Sequence, residues 1–327
     1  MSGPTCNGRP TRVVVALGGN ALEDKGLPPT ALSQLHVARQ TAEQLARLSA
    51  AGYELAIVHG NGPQVGRILL ASEHAAEVTP PMPFDVCGAM SQGYIGYHLQ
   101  QALTGALRKV GRTVPVVTVL TQMVVDRADP AFSQPTKPIG PFYSREQSEE
   151  LTATRGYTMK EDSGRGWRRV VPSPRPQRIV EIDTIKTLWD STITIACGGG
   201  GVPVVETPQG LEGVAAVIDK DLAACRLAME MEADILMILT EVPAVAIRFG
   251  RPDQADLGEV TPDYLDELAG RGEFGAGSML PKVQAAVDFV RSGAGRRAII
   301  TSLELGLEGL AGRSGTRIRG AGTPWPA

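Results

Sequence analysis

The sequence predicts a three-layer α/β/α sandwich built on an open, mainly parallel sheet. Three observations carry that expectation. Short continuous apolar runs (RVVVAL at 12–17, ELAIV at 54–58, DILMIL at 234–239) have the pattern of strands buried on both faces. Segments with helical periodicity alternate with them, which points to right-handed βαβ units. Several strand ends carry glycine turns, where ligands of such sheets bind. At 327 residues the chain can bury one large core or two smaller lobes.

Residues 1–11 are expected to be a flexible arm, followed by the main domain over 12–312. The strand at 12–17 ends in Gly18-Gly19-Asn20. Residues 31–51 place Leu32, Leu35, Ala38, Ala42, Leu45 and Leu48 on one helical stripe, with Gly52 as the stop signal. The strand at 54–58 runs into His59-Gly60-Asn61-Gly62-Pro63-Gln64-Val65-Gly66, completing a βαβ unit. Residues 85–110 are helical in pattern, with Asp85 as the N-cap and Gly111 as the stop. A third strand follows at 114–119.

Residues 126–178 are dense in charge and proline and weak in periodicity. A connection of that length is too long to be passive, so an inserted lid subdomain is expected, with Trp167, Val170 and Val171 available to pack. Alternation then resumes with a helix at 181–190 and a strand at 193–195 that stops at four glycines, 198–201. The apolar run 215–218 delivers Asp219, Lys220 and Asp221, and a helix is expected over 222–231. The strand at 234–239 ends in Thr240-Glu241. A short strand at 245–249, helices at 261–269 (Thr261 as cap) and 278–290, and a last strand at 297–301 complete about seven strands. Residues 313–327 read as a ragged tail.

Bulk properties narrow the function. A formal net charge of −3 gives no footprint for nucleic acid or an acidic membrane. No apolar run reaches the roughly 18 residues of a membrane helix and the first residues lack a signal-peptide core, so a cytoplasmic protein is expected. Four cysteines and four histidines lack metal or disulfide spacing. No metal site is expected from them. Cys197 reads as a small buried residue, since no histidine lies near it in sequence to activate a thiolate.

Spacing excludes several familiar chemistries. Residues 60–66 spell G-x-G-x-x-x-G, one residue longer than the dinucleotide fingerprint, and no P-loop, protein-kinase set or G-x-S-x-G occurs. What remains is three glycine turns (Gly18-Gly19, Gly60 to Gly62, and the run 198–201) and three lysines in distinctive settings. Lys137 stands between prolines, Lys220 lies between Asp219 and Asp221, and Lys282 follows Pro281. Backbone N–H donors that hold oxygens, and cations that balance a moving phosphoryl group, are what phosphoryl transfer requires.

At that level of detail the sequence resembles the carbamate kinases of the amino acid kinase superfamily. The matching motifs are VVVALGGNAL at 13–22, HGNGPQVG at 59–66, PTKPIGPF at 135–142, EDSGRGWR at 161–168 and VPSP at 171–174. CGGGGVPV at 197–204, VIDKD at 217–221 and GSMLPK at 277–282 complete the set. The resemblance covers roughly 12–303, with the motifs in family order. It implies reversible phosphoryl transfer between ATP and carbamate, with Mg²⁺, in arginine or related nitrogen catabolism.

Carried over by motif, Lys137, Lys220 and Lys282 neutralise the transferring group and Asp221 orients the lysines. Gly18, Gly19, Asn20, Asp219 and the glycines Gly198, Gly199 and Gly200 face the phosphates. Gly60, Asn61 and Gly62 hold the carbamate. Thr240, Glu241, Phe274 and Met279 contact the nucleotide, with Glu241 departing from the small residue or Asp of the family pattern. The attacking oxygen of carbamate is already anionic, so no general base is needed, and His59 reads as structural. The resemblance also implies a homodimer. A kinase of another small acid, or a binding-only sensor on the same fold, are the alternatives. The lid motif argues against the first and the retained lysines against the second.

Overall fold

The apolar runs pair into one sheet because they have no polar face to give to water. The computed structural model describes residues 4–6, 8–24, 26–162, 164–320, 322 and 325. The chain begins with β1 (Arg12–Leu17), α1 (Ala31–Ala50), β2 (Glu54–His59), α2 (Gly62–His74), α3 (Phe84–Lys109), β3 (Val116–Thr118) and β4 (Gln122–Val125). It continues through β5 (Lys137–Tyr143), α4 (Arg145–Arg155), β6 (Met159–Glu161), β7 (Trp167–Val171), β8 (Pro176–Ile179) and α5 (Ile182–Trp189). Next come β9 (Ile193–Ile195), β10 (Val202–Thr207), β11 (Gly210–Gly213), α6 (Lys220–Glu230) and β12 (Ile235–Thr240). It closes with α7 (Pro262–Gly270), α8 (Met279–Arg291), β13 (Arg297–Ser302) and β14 (Thr316–Arg319).

The main sheet has the order β14-β13-β12-β1-β2-β9-β3, with the two-residue strand Glu259–Val260 added outside β14. From β13 to β3 every neighbour is parallel; β14 returns antiparallel to β13. Alternate residues of β1 feed opposite faces, as strand geometry dictates. Val13, Val15 and Leu17 join one core with α1 and α3, while Val14 and Ala16 join the other with α6 and α8. That is the expected three-layer sandwich.

Four features differ from the sequence reading. A second sheet, β8-β4-β10-β11, was not anticipated, because Pro203 and short strands leave it without alternation. The helix expected from Asp85 starts at Phe84 with Pro83 at its N-cap. Pro83 holds φ at −56°, while Asp85 lies in the first turn, where a carboxylate favours the helix dipole. The strand expected at 245–249 shrinks to Ala246–Ile247, paired with Ala255–Asp256. Within the segment expected as a tail, Thr316–Arg319 forms β14 of the main sheet, while residues 321, 323, 324, 326 and 327 lie outside the described residues.

At the other end, Thr5–Cys6 pairs with Arg9–Pro10, and Arg9 meets Asp234 at 2.8 Å; residues 1–3 and 7 of the expected arm lie outside the described residues. Between β4 and β8, the strands β5-β7-β6 form a separate three-stranded sheet with α4 alongside. Ser144 and Gln147 make a reciprocal capping box at the start of α4, and Gly156 ends it in the left-handed region. Among the described residues no helix is long and apolar enough to cross a membrane.

Candidate active site

The start of α6 organises the site. Asp219 is its N-cap and accepts from the Asp221 backbone N–H at 2.9 Å, leaving Lys220 and Asp221 in the first turn. The Asp221 carboxylate bridges two ammoniums: Lys220 Nζ donates to Oδ1 at 2.6 Å and Lys282 Nζ to Oδ2 at 2.8 Å. Lys282 comes from the first turn of α8, which packs on α6. Lys137, the first residue of β5, donates to Asp219 Oδ2 at 2.6 Å. The three lysines singled out in the sequence therefore converge on two aspartates at one helix start.

Burial sets the electrostatics of this cluster. The Asp221 side chain is 3% exposed, and those of Lys220 and Lys282 are 12% and 15% exposed. Burial alone would push the Asp221 carboxyl up. The charges and hydrogen bonds of Lys220 and Lys282 outweigh it and hold the group well below the usual carboxylate range. Lys220 goes the other way: burial and the like charge of Lys282 lower its pKa despite Asp221. For Lys282, burial is overcome by Asp221, and the pKa rises.

Some of the glycines around the site meet other groups too closely for a side chain, while others have ordinary contacts. A Cβ on Gly60 would lie 3.4 Å from Lys220 Cδ, and one on Gly66 only 2.2 Å from the Cα and N of Gly140 in β5. Gly62 is the first residue of α2, near the Pro138 carbonyl. Gly199, at φ 64°, has room only for hydrogen: a Cβ would sit 2.1 Å from Asn61 Nδ2. Asn61 is buried and donates to Ser91 Oγ at 2.8 Å. Cys197, at φ 52° and fully buried, donates its backbone N–H to Thr121 Oγ1 at 3.0 Å.

His59 is buried under the same loop, with Nδ1 2.9 Å from the Gly60 carbonyl. Burial, only partly opposed by that hydrogen bond, pushes its pKa down to about 4, so it is a neutral structural ring at physiological pH. Burial likewise raises the pKa of the Cys197 thiol, which keeps it unreactive.

A cleft of about 650 Å³ opens at the carboxyl ends of β1 and β12. It brings together Gly18, Gly19, Lys220, Thr240, Glu241, Phe274, Met279 and Lys282, residues scattered over the whole sequence. Asp221 lies beneath the lysines, and Lys137 and Asp219 join through their ion pair. Gly198, Gly199 and Gly200 are not among the cleft-lining residues. They are buried against His59, Asn61 and Ile218, so they shape the floor under the loop of residues 60–62. The Asn20 side chain lies outside the described residues.

Sequence reasoning missed Ser91, which holds Asn61, and two cleft-lining residues, Arg165 in the turn between β6 and β7 and the exposed Phe249. The glycines on either side of Arg165 were the one available signal. Ser91 is an unremarkable helix residue until the fold places it opposite Asn61.

A parallel sheet whose strand ends carry a glycine-lined cleft and a buried lysine–aspartate cluster defines a phosphate-handling α/β protein. Residues 11–302 match the amino acid kinase family, and the chain belongs to that family. Its relatives narrow this further. A carbamate kinase of Clostridium perfringens is 53% identical over 311 residues, covering 94% of this chain and 99% of the relative. One of Pyrococcus horikoshii is 51% identical over 312 residues, with 94% and 99% covered. Among solved structures, carbamate kinase from Giardia lamblia bound to citric acid superposes with a TM-score of 0.90 at 43% identity, covering 95% of this chain and 98% of that one. The same enzyme bound to AMP-PNP gives 0.87 at 43% identity, with 95% and 98% covered.

Proposed function

We propose that this protein is a carbamate kinase, transferring a phosphoryl group reversibly between carbamoyl phosphate with ADP and carbamate with ATP. The observation that carries the reading is the convergence of Lys137, Lys220 and Lys282 on Asp219 and Asp221, beside the glycine-lined cleft. Near-full-length relatives at about half identity, named carbamate kinase, support it.

In this reading the polyphosphate of ADP lies over Gly18 and Gly19, where backbone approaches closely. The base end lies toward Thr240, Glu241, Phe274 and Met279. The acyl phosphate sits between Lys220 and the Gly60–Asn61–Gly62 loop. As the phosphoryl group leaves one oxygen for the other, negative charge shifts along the line of transfer, and the three lysines follow it without reorganising. Asp221 fixes two of them and Asp219 the third. Both reacting oxygens are anionic at neutral pH, so neither direction needs a general base, which agrees with a neutral, buried His59.

No trio of carboxylate, histidine or cysteine ligands is gathered among the described residues. Asp219 and Asp221 are already engaged by lysines. Mg²⁺ therefore fits this chain as an ion carried in by the nucleotide phosphates, whose charge it offsets, and not as one held in a protein cage.

The cytoplasm, with its ADP and ATP pools, is where this reading places the protein. A homodimer is supported by the apolar face of α3: Val86, Met90 and Tyr97 are exposed, and a groove of about 570 Å³ lies between Tyr97, Thr118 and Leu120. Light scattering at micromolar concentration that returned a monomer would remove that part. The activity itself is tested by ATP formation from ADP, Mg²⁺ and carbamoyl phosphate, with Lys220→Ala run beside it. Equal rates in the two proteins, or no ATP from the folded chain, would overturn the reading.

A further inference from the structure

The lid segment meets the site at two places: Lys137 pairs with Asp219, and Arg165 lines the open cleft. Of the described residues lining the cleft, Arg165 alone comes from the lid segment. It stands between Gly164 and Gly166, at φ 73° and 122°, in the turn joining β6 to β7. A Cβ on residue 166 would lie 3.0 Å from the Tyr143 carbonyl, so the turn is pressed onto β5 and the arginine is its long side chain.

The guanidinium is oriented on two sides. Nη2 donates to Asp162 Oδ1 at 3.2 Å, and the group lies 4.9 Å over the Phe142 ring. Asp162 also accepts from Arg168 at 3.3 Å, so one carboxylate is divided between two arginines. The Arg165 side chain is still 55% exposed, and it lines the cleft.

Charge gives this arrangement a purpose. The cleft wall carries Glu241, Glu273 and Glu304, while Lys220 and Lys282 share Asp221. A polyphosphate entering there needs more positive charge than the floor supplies. An arginine fork suits phosphate oxygens better than any other side chain.

We propose that Arg165 is a ligand of the nucleotide phosphates, donated by the lid in addition to the lysines. The inference rests on the kinase reading and adds a residue to it. It makes Arg165 a selective contact for nucleotides that carry phosphates, with no part in holding the base or the acyl phosphate.

Calorimetric titration of the full chain with Mg²⁺–ADP and with adenosine tests this, using the unsubstituted protein, Arg165→Ala and Arg165→Lys. ADP affinity is expected to fall roughly tenfold to a hundredfold in Arg165→Ala, as for loss of a charge-assisted hydrogen bond. It should recover in part in Arg165→Lys, while adenosine affinity stays the same in all three. In the ATP-forming assay KM for ADP should rise and KM for carbamoyl phosphate should hold. Unchanged ADP affinity in Arg165→Ala would overturn the inference and leave the kinase reading standing. Equal weakening of ADP and adenosine would also overturn it, by showing that the arginine only supports the fold. No ADP binding by the unsubstituted protein would overturn the kinase reading and this inference together. If Arg165→Ala fails to fold, the Arg165→Lys titration decides on the same criteria.

Discussion

Replacing Asp221 with Asn tests the buried counter-ion at its centre. The carboxylate is almost inaccessible and serves two ammoniums, at 2.6 and 2.8 Å, that are themselves largely buried. Asparagine keeps the shape and one acceptor oxygen but removes the charge. Breaking a buried ion pair from one side costs about 3–5 kcal/mol, because the partner charge stays uncompensated. Here a lysine can escape by losing its proton, so a loss of about 3 kcal/mol at pH 7 is expected. That is a large part of the roughly 5–15 kcal/mol that holds a typical domain folded.

The same substitution changes the pH dependence. In the native protein Lys220 has a lowered pKa and Lys282 a raised one, so their contributions oppose each other. Without Asp221, the largest charge opposing burial at both lysines, both pKa values are expected to fall, that of Lys220 further below the unfolded value. Between the folded and unfolded pKa values the unfolded chain then binds more protons, and stability rises with pH. Guanidinium unfolding of Asp221→Asn between pH 7 and 10 should show stability recovering as pH rises, against a flatter native profile. A variant within about 0.5 kcal/mol of the native protein at pH 7, with an unchanged slope, would refute the counter-ion argument.

Three other outcomes follow from the geometry. Lys137→Ala should cost about 1 kcal/mol or less, since its ion pair with Asp219 is partly exposed, yet lower kcat for ATP formation about 10²–10³-fold. Gly199→Ala should destabilise by about 1–2 kcal/mol for its left-handed backbone. It should also raise KM for carbamoyl phosphate by displacing Asn61. His59→Gln should remove a pH dependence. The native ring, neutral down to about pH 4, contributes stability above pH 6.5 that is lost as pH falls through that window, worth about 3 kcal/mol in all. Denaturation midpoints at pH 7 and pH 4.5 should converge in the variant, with turnover at pH 8 retained.

The parallel sheet was legible because its strands are apolar on both faces, so each of 12–17, 54–58 and 234–239 announced itself without neighbours. The smaller sheet was not. β4, β8 and β11 are short and mixed, and they become strands only through pairing with one another or with β10. In the site, Lys137, Lys220 and Lys282 stood out by their prolines and aspartates, and the structure gathers them. The glycines at 198–200 were read as phosphate-facing, yet glycine is also what a buried crossing demands, and the sequence does not separate the two uses. Ser91 and Phe249 act through tertiary placement alone.

The contact between Gly66 and Gly140 also has a mechanical side. Backbone meets backbone there, with no side chain as a cushion, so α2 and β5 share a bearing surface. Lys137 lies three strand residues from that bearing, about 10 Å along an extended chain. Arg165 sits at the other end of β5, in the turn after β6 that presses on the Tyr143 carbonyl. Any rotation about the bearing would therefore move the two ends of β5, and the lysine and the arginine with them, in opposite senses. A single motion of β5 on α2 would then reach both the cleft-lining arginine and the lysine cluster.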